Sequence, residues 1–209
     1  MKIILYIVLA AIVIGGISGG LHLWKVAKKN AQEMAPFAEM KPQSLDKSKK
    51  ILVIYYSLTG HTQDIAERIK AQTNADLYAI ELQEPLPKGV KAYYEIWKQY
   101  KDKNYPEVKG DMPDLSGYDL VILGSPVWMY TLSTPMQSFL KGIDFNKKPV
   151  AVYSTQGSNP GAFFADIRKA AKNANIISEI EFNNLPKKYD EAVNAKINQW
   201  LAQTLAKVK

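Results

Sequence analysis

The 209-residue chain contains no cysteine. Disulfides, thiolate zinc sites, iron–sulfur clusters, lipoprotein acylation and cysteine nucleophiles are therefore excluded. Histidine is nearly absent, with only His22 and His61. A histidine-rich metal centre has no ligands to draw on, and no metal is expected. A Ser-His-Asp triad would have to use one of these two residues, and no serine stands near a plausible His–Asp pair. Neither GxxxxGK[ST] nor GxGxxG occurs, so the fingerprints of a P-loop and of a separate nicotinamide fold are missing. Acidic excess is also lacking: the formal net charge is +7.

That charge is uneven. Residues 1–50 carry eight lysines against three carboxylates, which leaves the remainder only slightly basic. A basic leader argues for a membrane surface rather than nucleic acid, and no nucleic-acid partner is expected. Ile3 to Trp24 hold no formally charged side chain over 22 residues. A helix needs about 20 residues to cross a bilayer core. Residues 1–25 are therefore expected to form a transmembrane anchor helix, with residues 3–24 in the membrane and Trp24 and Lys25 at its interface. A cleaved secretory signal is the alternative, although the run is long for one and no Ala-x-Ala site follows. Lys25, Lys28 and Lys29 after the span favour a single-pass protein whose domain faces the cytoplasm. Residues 26–49 read as a polar tether, and residues 50–209 as the folded domain.

Within that domain, strand-like and helix-like stretches alternate. "ILVIYY" (51–56), "DLVILGS" (119–125) and "PVAVYST" (149–155) are short continuous apolar runs, the pattern of buried parallel strands. "DLYAIEL" (76–82) and "IISEIEF" (176–182) add two more. Helical spacing appears over 62–72, 90–103, 134–142, 161–172 and 189–208. Five strands alternating with five helices predict a parallel α/β sheet in a three-layer, doubly wound sandwich. The connection from 83 to 118 is long enough to carry a functional loop.

Ligands of such sheets bind outside the carboxyl ends of the strands. Three turns matter there. After strand 1, Ser57-Leu58-Thr59-Gly60-His61-Thr62 offers hydroxyls and a glycine where a helix begins, and unpaired N–H groups at a helix start attract phosphate. Without a loop lysine, a monophosphate ester fits better than a nucleoside triphosphate. An ordinary Ser/Thr helix cap explains the same residues. After strand 3, "GSPVWMYTLSTP" has Gly124 and Pro126 to end the strand, then Trp128 and Tyr130 as a stacking surface, unless Trp128 is simply core. After strand 4, "STQGSNPG" can bring backbone donors and acceptors to a ring edge, or is a plain flexible turn. A planar heterocycle bearing a monophosphate satisfies all three.

These residues resemble the flavodoxin family. Its strand-1 signature is matched by Val53, Ile54, Tyr55, Ser57, Gly60, Thr62, Ala66 and Ile69. "YDLVILGSPVWMYTLSTPMQSFL" (118–140) resembles the family's second flavin loop and "STQGSNPG" its third. The resemblance covers about three quarters of the chain. It implies a flavodoxin-like five-stranded sheet in the order 2-1-3-4-5 and noncovalent FMN. Ser57, Thr59, Gly60, His61 and Thr62 would hold the phosphate. Pro126, Val127, Trp128, Met129 and Tyr130 would line the isoalloxazine. Ser154, Thr155, Gly157 and Ser158 would approach its pyrimidine edge. No side chain is assigned a catalytic role, because electron chemistry stays with the cofactor.

Two departures from the family qualify this. Many members carry glycine just after the tryptophan segment, where Met129, Tyr130 and Thr131 stand here. Bulky residues make positive φ costly, which adds weight to two-electron reductase chemistry. The domain also lacks the usual strong acidity, so its partner is recognised differently or shares the membrane. The expected function is electron transfer by a membrane-anchored FMN protein. Its partner is a redox protein or a small quinone-type acceptor. The alternatives are an NAD(P)H-dependent FMN reductase of quinone-type acceptors and a flavin-free interaction module at the membrane. Tyr93, Tyr94, Trp97 and Tyr100 could wall a donor site, although their spacing reads more readily as a buried helix face.

Overall fold

The computed structural model describes residues 19–21, 23–157 and 159–208. They form two compact units, one of the described residues up to Met40 with Leu185–Val193, the other of Lys41–Asn184 with the described residues from Asn194 onward. In the first, residues 19–21 and 23–34 are helical (α1). That helix carries Lys25, Lys28, Lys29 and Glu33, charges that are expensive in hydrocarbon. Among the described residues no helix is long and apolar enough to cross a membrane. This corrects the expected anchor and the membrane localisation with a cytoplasm-facing domain. Residues 3–18 and His22 of the expected span lie outside the described residues.

The second unit contains the sheet. Its elements are β1 (Ile51–Tyr55), α2 (His61–Thr73), β2 (Asp76–Ala79), α3 (Val90–Asp102), β3 (Leu120–Trp128), β4 (Thr131–Leu132), α4 (Thr134–Gly142), β5 (Pro149–Gln156), α5 (Phe163–Ala170), β6 (Asn175–Asn183) and α6 (Asp190–Leu205), whose first turn belongs to the other unit. The strands run in the order β2-β1-β3-β5-β6, with β4 paired to β3. All pairs are parallel except β3–β4. Six strands thus replace the five expected. The addition is a two-residue antiparallel strand, too short to register as a hydrophobic run.

Alternation along the strands sorts the core. Leu52, Ile54, Val121, Leu123, Val150 and Val152 pack with Met136, Phe139 and Leu140 of α4 and Phe163 and Ile167 of α5. On α2, Ile65, Ala66 and Ile69 are buried. Asn194 of α6 accepts from Arg68 Nη1 at 2.9 Å and from Gln72 Nε2 at 3.1 Å, which sets α6 beside α2. Trp200 Nε1 donates to Ser178 Oγ of β6 at 2.8 Å. Each fully enclosed aliphatic or aromatic side chain contributes about 1.5–3 kcal/mol. Within the stretch expected as a tether, Asn198 holds the backbone of Gln43 from both sides, accepting from its N–H at 2.6 Å and donating to its carbonyl at 3.2 Å.

Two further expectations change. Gly124 and Pro126 do not end β3, which continues to Trp128. The last β1–β3 pair is Tyr55 with Gly124, so beyond it one edge of β3 is free, where proline is tolerated. The aromatic face of α3 is not buried. Ala92, Ile96 and Gln99 are the buried residues, whereas Tyr93, Tyr94 and Trp97 are 73%, 65% and 46% exposed. Tyr100 alone turns inward, donating to the carbonyl of Leu132, and burial pushes its hydroxyl pKa well up. Gln99 accepts from Thr134 Oγ1 at 2.6 Å. The whole 83–107 excursion is closed at its base by the Leu82–Val108 bridge.

Candidate functional site: a cleft at the carboxyl edge of the sheet

β1 hands over to α2 through residues 56–60. Gly60, the residue before α2, has φ +91°, and no side chain caps the helix. The left-handed conformation is what calls for glycine there. The hydroxyl-cap alternative is thereby removed: Ser57 Oγ accepts from Gly60 N–H at 3.1 Å, outside the helix. The N–H groups of the first turn of a 13-residue helix are left without a side-chain acceptor. Asp64, the acid of that turn, is engaged by Arg68 at 2.7 Å.

The start of α2 is locked from β5. Tyr153 is fully buried, and its hydroxyl donates to the carbonyl of Thr62 at 2.9 Å. Its ring fills the space beside Gly124, where an added Cβ would lie 2.0 Å from the ring. Burial drives the Tyr153 pKa far upward, so it remains a neutral donor. Thr62 Oγ1 and Thr155 Oγ1 share a buried hydrogen bond of 2.8 Å. A hydroxyl pair uses only one of its two protons internally.

The aromatic loop is a tight hairpin. Val127 pairs with Leu132 and Trp128 with Thr131, leaving Met129 and Tyr130 as a two-residue turn. Their φ values are +48° and +61°, the positive pair that a type I′ turn requires. The bulk of these residues therefore does not prevent positive φ. The turn is held from outside by Ala162 N–H, which donates to the Tyr130 carbonyl at 2.7 Å. Asp166 adds a second hold by accepting from Thr131 Oγ1 at 2.5 Å. Trp128 meets Tyr56 edge to face at 5.6 Å. Tyr56 is buried in apolar surroundings and its pKa is pushed up to about 12.

These segments surround a cleft of about 700 Å³, well within the 300–1,000 Å³ range of small-molecule sites. Thr59, His61, Thr62, Pro126, Val127, Trp128, Met129, Thr155 and Gly157 line it. Of the other candidates, Ser57 serves the loop backbone and Gly60 shapes it. Tyr130 projects from the turn. Ser154 is fully buried beneath the site, its hydroxyl without a partner. Ser158 lies outside the described residues. The opposite wall was missed at residue level: Leu86, Pro87, Lys88, Gly89, Ala92 and Ile96, together with Leu58, Gln156 and Asn184. Its signal was the Pro- and Gly-containing "EPLPKGV" that opens the long connection. Among the described residues no carboxylate lines the cleft, and Lys88 is the one lysine there.

A parallel sheet with an uncapped helix start, an aromatic turn and a small-residue loop on one edge defines a doubly wound ligand-binding protein. The family model described as Flavodoxin matches residues 50–202, and the chain belongs to the flavodoxin family. A flavoprotein from Lactobacillus acidophilus, solved in complex with FMN, is 25% identical with a TM-score of 0.59, over 73% of this chain and 98% of that one. The apo form of the flavoprotein from that organism is 26% identical with a TM-score of 0.53, over 69% and 97% of the two chains. Among curated relatives, an NAD(P)H dehydrogenase (quinone) from Cupriavidus metallidurans is 29% identical over 92 residues. That match spans 44% of this chain and 45% of the relative, less than half its length.

Proposed function

We propose that the chain binds FMN noncovalently in this cleft and works in electron transfer. The observation that carries the reading is the uncapped N-terminus of α2 opening into the same cleft as Trp128 and Gly157. The donor set fits the group. First-turn N–H groups and Thr59 and His61 suit a phosphate, and the absence of lining carboxylates leaves that anion unopposed. Trp128, fixed by Tyr56, offers the ring an aromatic neighbour. An added Cβ at Gly157 would meet nothing within 4 Å, so the backbone there is open to a ring edge. Bound FMN supplies the capacity to take up and release electrons. The protein binds and orients it, with Thr62 and Thr155 contributing the one hydroxyl proton their mutual bond leaves over.

The test is direct. Full-length protein mixed with FMN or riboflavin is expected to retain both, with FMN at least about tenfold tighter, the order that helix-terminus phosphate contacts supply. Failure to retain any flavin refutes the reading, and equal affinity refutes the phosphate assignment.

A second reading, an NAD(P)H-dependent reductase of quinone-type acceptors, is favoured by one feature. Ala92, Tyr93 and Ile96 give the cleft an apolar wall that the FMN assignment does not use. The names of the curated relatives point the same way. Direct bleaching of the FMN-loaded protein by NAD(P)H supports the reductase. Bleaching only by a protein reductant supports the carrier.

A further inference from the structure

Among the described residues of the second unit, large apolar side chains left in solvent gather around one opening. Leu58, Tyr93 and Met129 line the cleft, and Val90, Tyr94 and Trp97 continue from it along α3. The outward stripe of α3, opposite buried Ala92, Ile96 and Gln99, reads Val90, Tyr94, Trp97, Lys101 at helical spacing. It contains no carboxylate. Tyr94 and Trp97 rings lie 6.0 Å apart, and Lys101 Nζ stands 5.0 Å over the Trp97 ring. Lys88, Lys91, Lys98 and Lys103 flank the stripe, against Glu95 and Asp102. A helix normally turns its aromatics inward and its charges outward. Here the packing face carries Ala92, Ile96 and Gln99, and the larger aromatic residues face water at an unrecovered hydrophobic cost. Contiguous exposed apolar surface of this kind marks an interaction site, and Trp and Tyr are its usual anchors.

We propose that this face docks an acidic electron-transfer protein, with Trp97 and Tyr94 as apolar anchors and the α3 lysines as the steering rim. The proposal rests on the electron-transfer reading and names the partner's chemistry. Charge selects the occupant: Lys88, Lys91, Lys98, Lys101 and Lys103 outnumber Glu95 and Asp102 along this face, so its field attracts anions. The apolar residues also continue onto the rim of the flavin cleft at Leu58, Tyr93 and Met129, a contour that a protein surface can follow and a flat bilayer cannot.

The test uses full-length, FMN-loaded protein and three probes: an acidic plant-type 2Fe–2S ferredoxin, basic cytochrome c, and vesicles containing anionic phosphatidylglycerol. Bound flavin is read from the spectrum of the same samples. Binding to ferredoxin is expected to exceed binding to cytochrome c and to weaken as salt rises. Trp97→Ala and the pair Lys98→Glu with Lys101→Glu should each weaken ferredoxin binding about tenfold, while FMN affinity changes less than twofold. Equal or tighter binding of cytochrome c, ferredoxin binding unmoved by these variants, or binding of vesicles alone overturns the proposal. Loss of flavin from the wild-type protein would instead refute the reading beneath it.

Discussion

The Met129–Tyr130 turn holds two bulky residues at φ +48° and +61°, a pairing that favours Asn-Gly. An L-residue in the left-handed region costs about 1–2 kcal/mol, and glycine gives back about 0.5–1 kcal/mol of that in backbone entropy. Met129 and Tyr130 are 51% and 66% exposed, so little packing is lost with their side chains. Tyr130→Gly combined with Met129→Asn should therefore stabilise the flavin-free protein by about 1 kcal/mol. For a chain of this size that raises Tm by about 2–4 °C. Met129 lines the cleft, so FMN affinity should fall in the same variant. Urea and thermal unfolding of the flavin-free protein, with FMN titration of both forms, check the two signs together. The variant relieves strain that the site uses. Unchanged or lower stability would show that the turn is not strained, and a rise in both quantities would show that the strain serves no ligand.

Tyr153→Phe removes the donor to the Thr62 carbonyl and should cost about 1–2 kcal/mol in stability. Because that bond holds the start of α2, the proposed phosphate end, FMN affinity should fall more than riboflavin affinity, and equal losses would reduce Tyr153 to a core residue. Gly124→Ala places a Cβ 2.0 Å from the buried Tyr153 ring. It should destabilise the fold by about 3 kcal/mol or more, measured by urea unfolding, and a tolerated alanine would refute the tight seat. Tyr56, at about 12, and Tyr153 both ionise at higher pH in the folded state than the usual 10. Their contribution is complete below pH 10 and lost as pH rises through the folded values. Unfolding free energy should be flat between pH 8 and about 9.5 and decline above 10, with ultraviolet titration reporting the same ionisations.

The start of the domain was legible from local pattern. Apolar runs at 51–56, 119–125 and 149–155 announce buried parallel strands because both faces of each are covered. Helical spacing over 62–72 and 134–142 announces α2 and α4, the latter also through Pro135 in its first turn. The hydroxyl-and-glycine turn lies at the carboxyl edge of the sheet, where Thr59, His61 and Thr62 line the cleft. The hydroxyl residues of the loops did not reveal their separate duties. Thr62 and Ser154 look alike as small hydroxyl residues, yet Thr62 bonds Thr155 at the cleft and Ser154 is enclosed beneath it.

The sequence by itself determined which residues share a face of each element, since helical and strand periods are properties of the local chain. Only the tertiary structure decided which faces acquire a neighbour. Helix α3 shows the difference. Its aromatic row has the spacing of a core stripe, but Gln99 and Tyr100 tie the helix to α4 and β4 by their polar atoms, and this turns Ala92 and Ile96 inward with them. Burial depends on what another part of the chain places opposite, and so does the continuation of β3 through Pro126. That strand extends because β5 and β4 pair with it past Gly124, while β1 stops at Tyr55, a boundary 71 residues away in sequence that no local pattern near Pro126 contains.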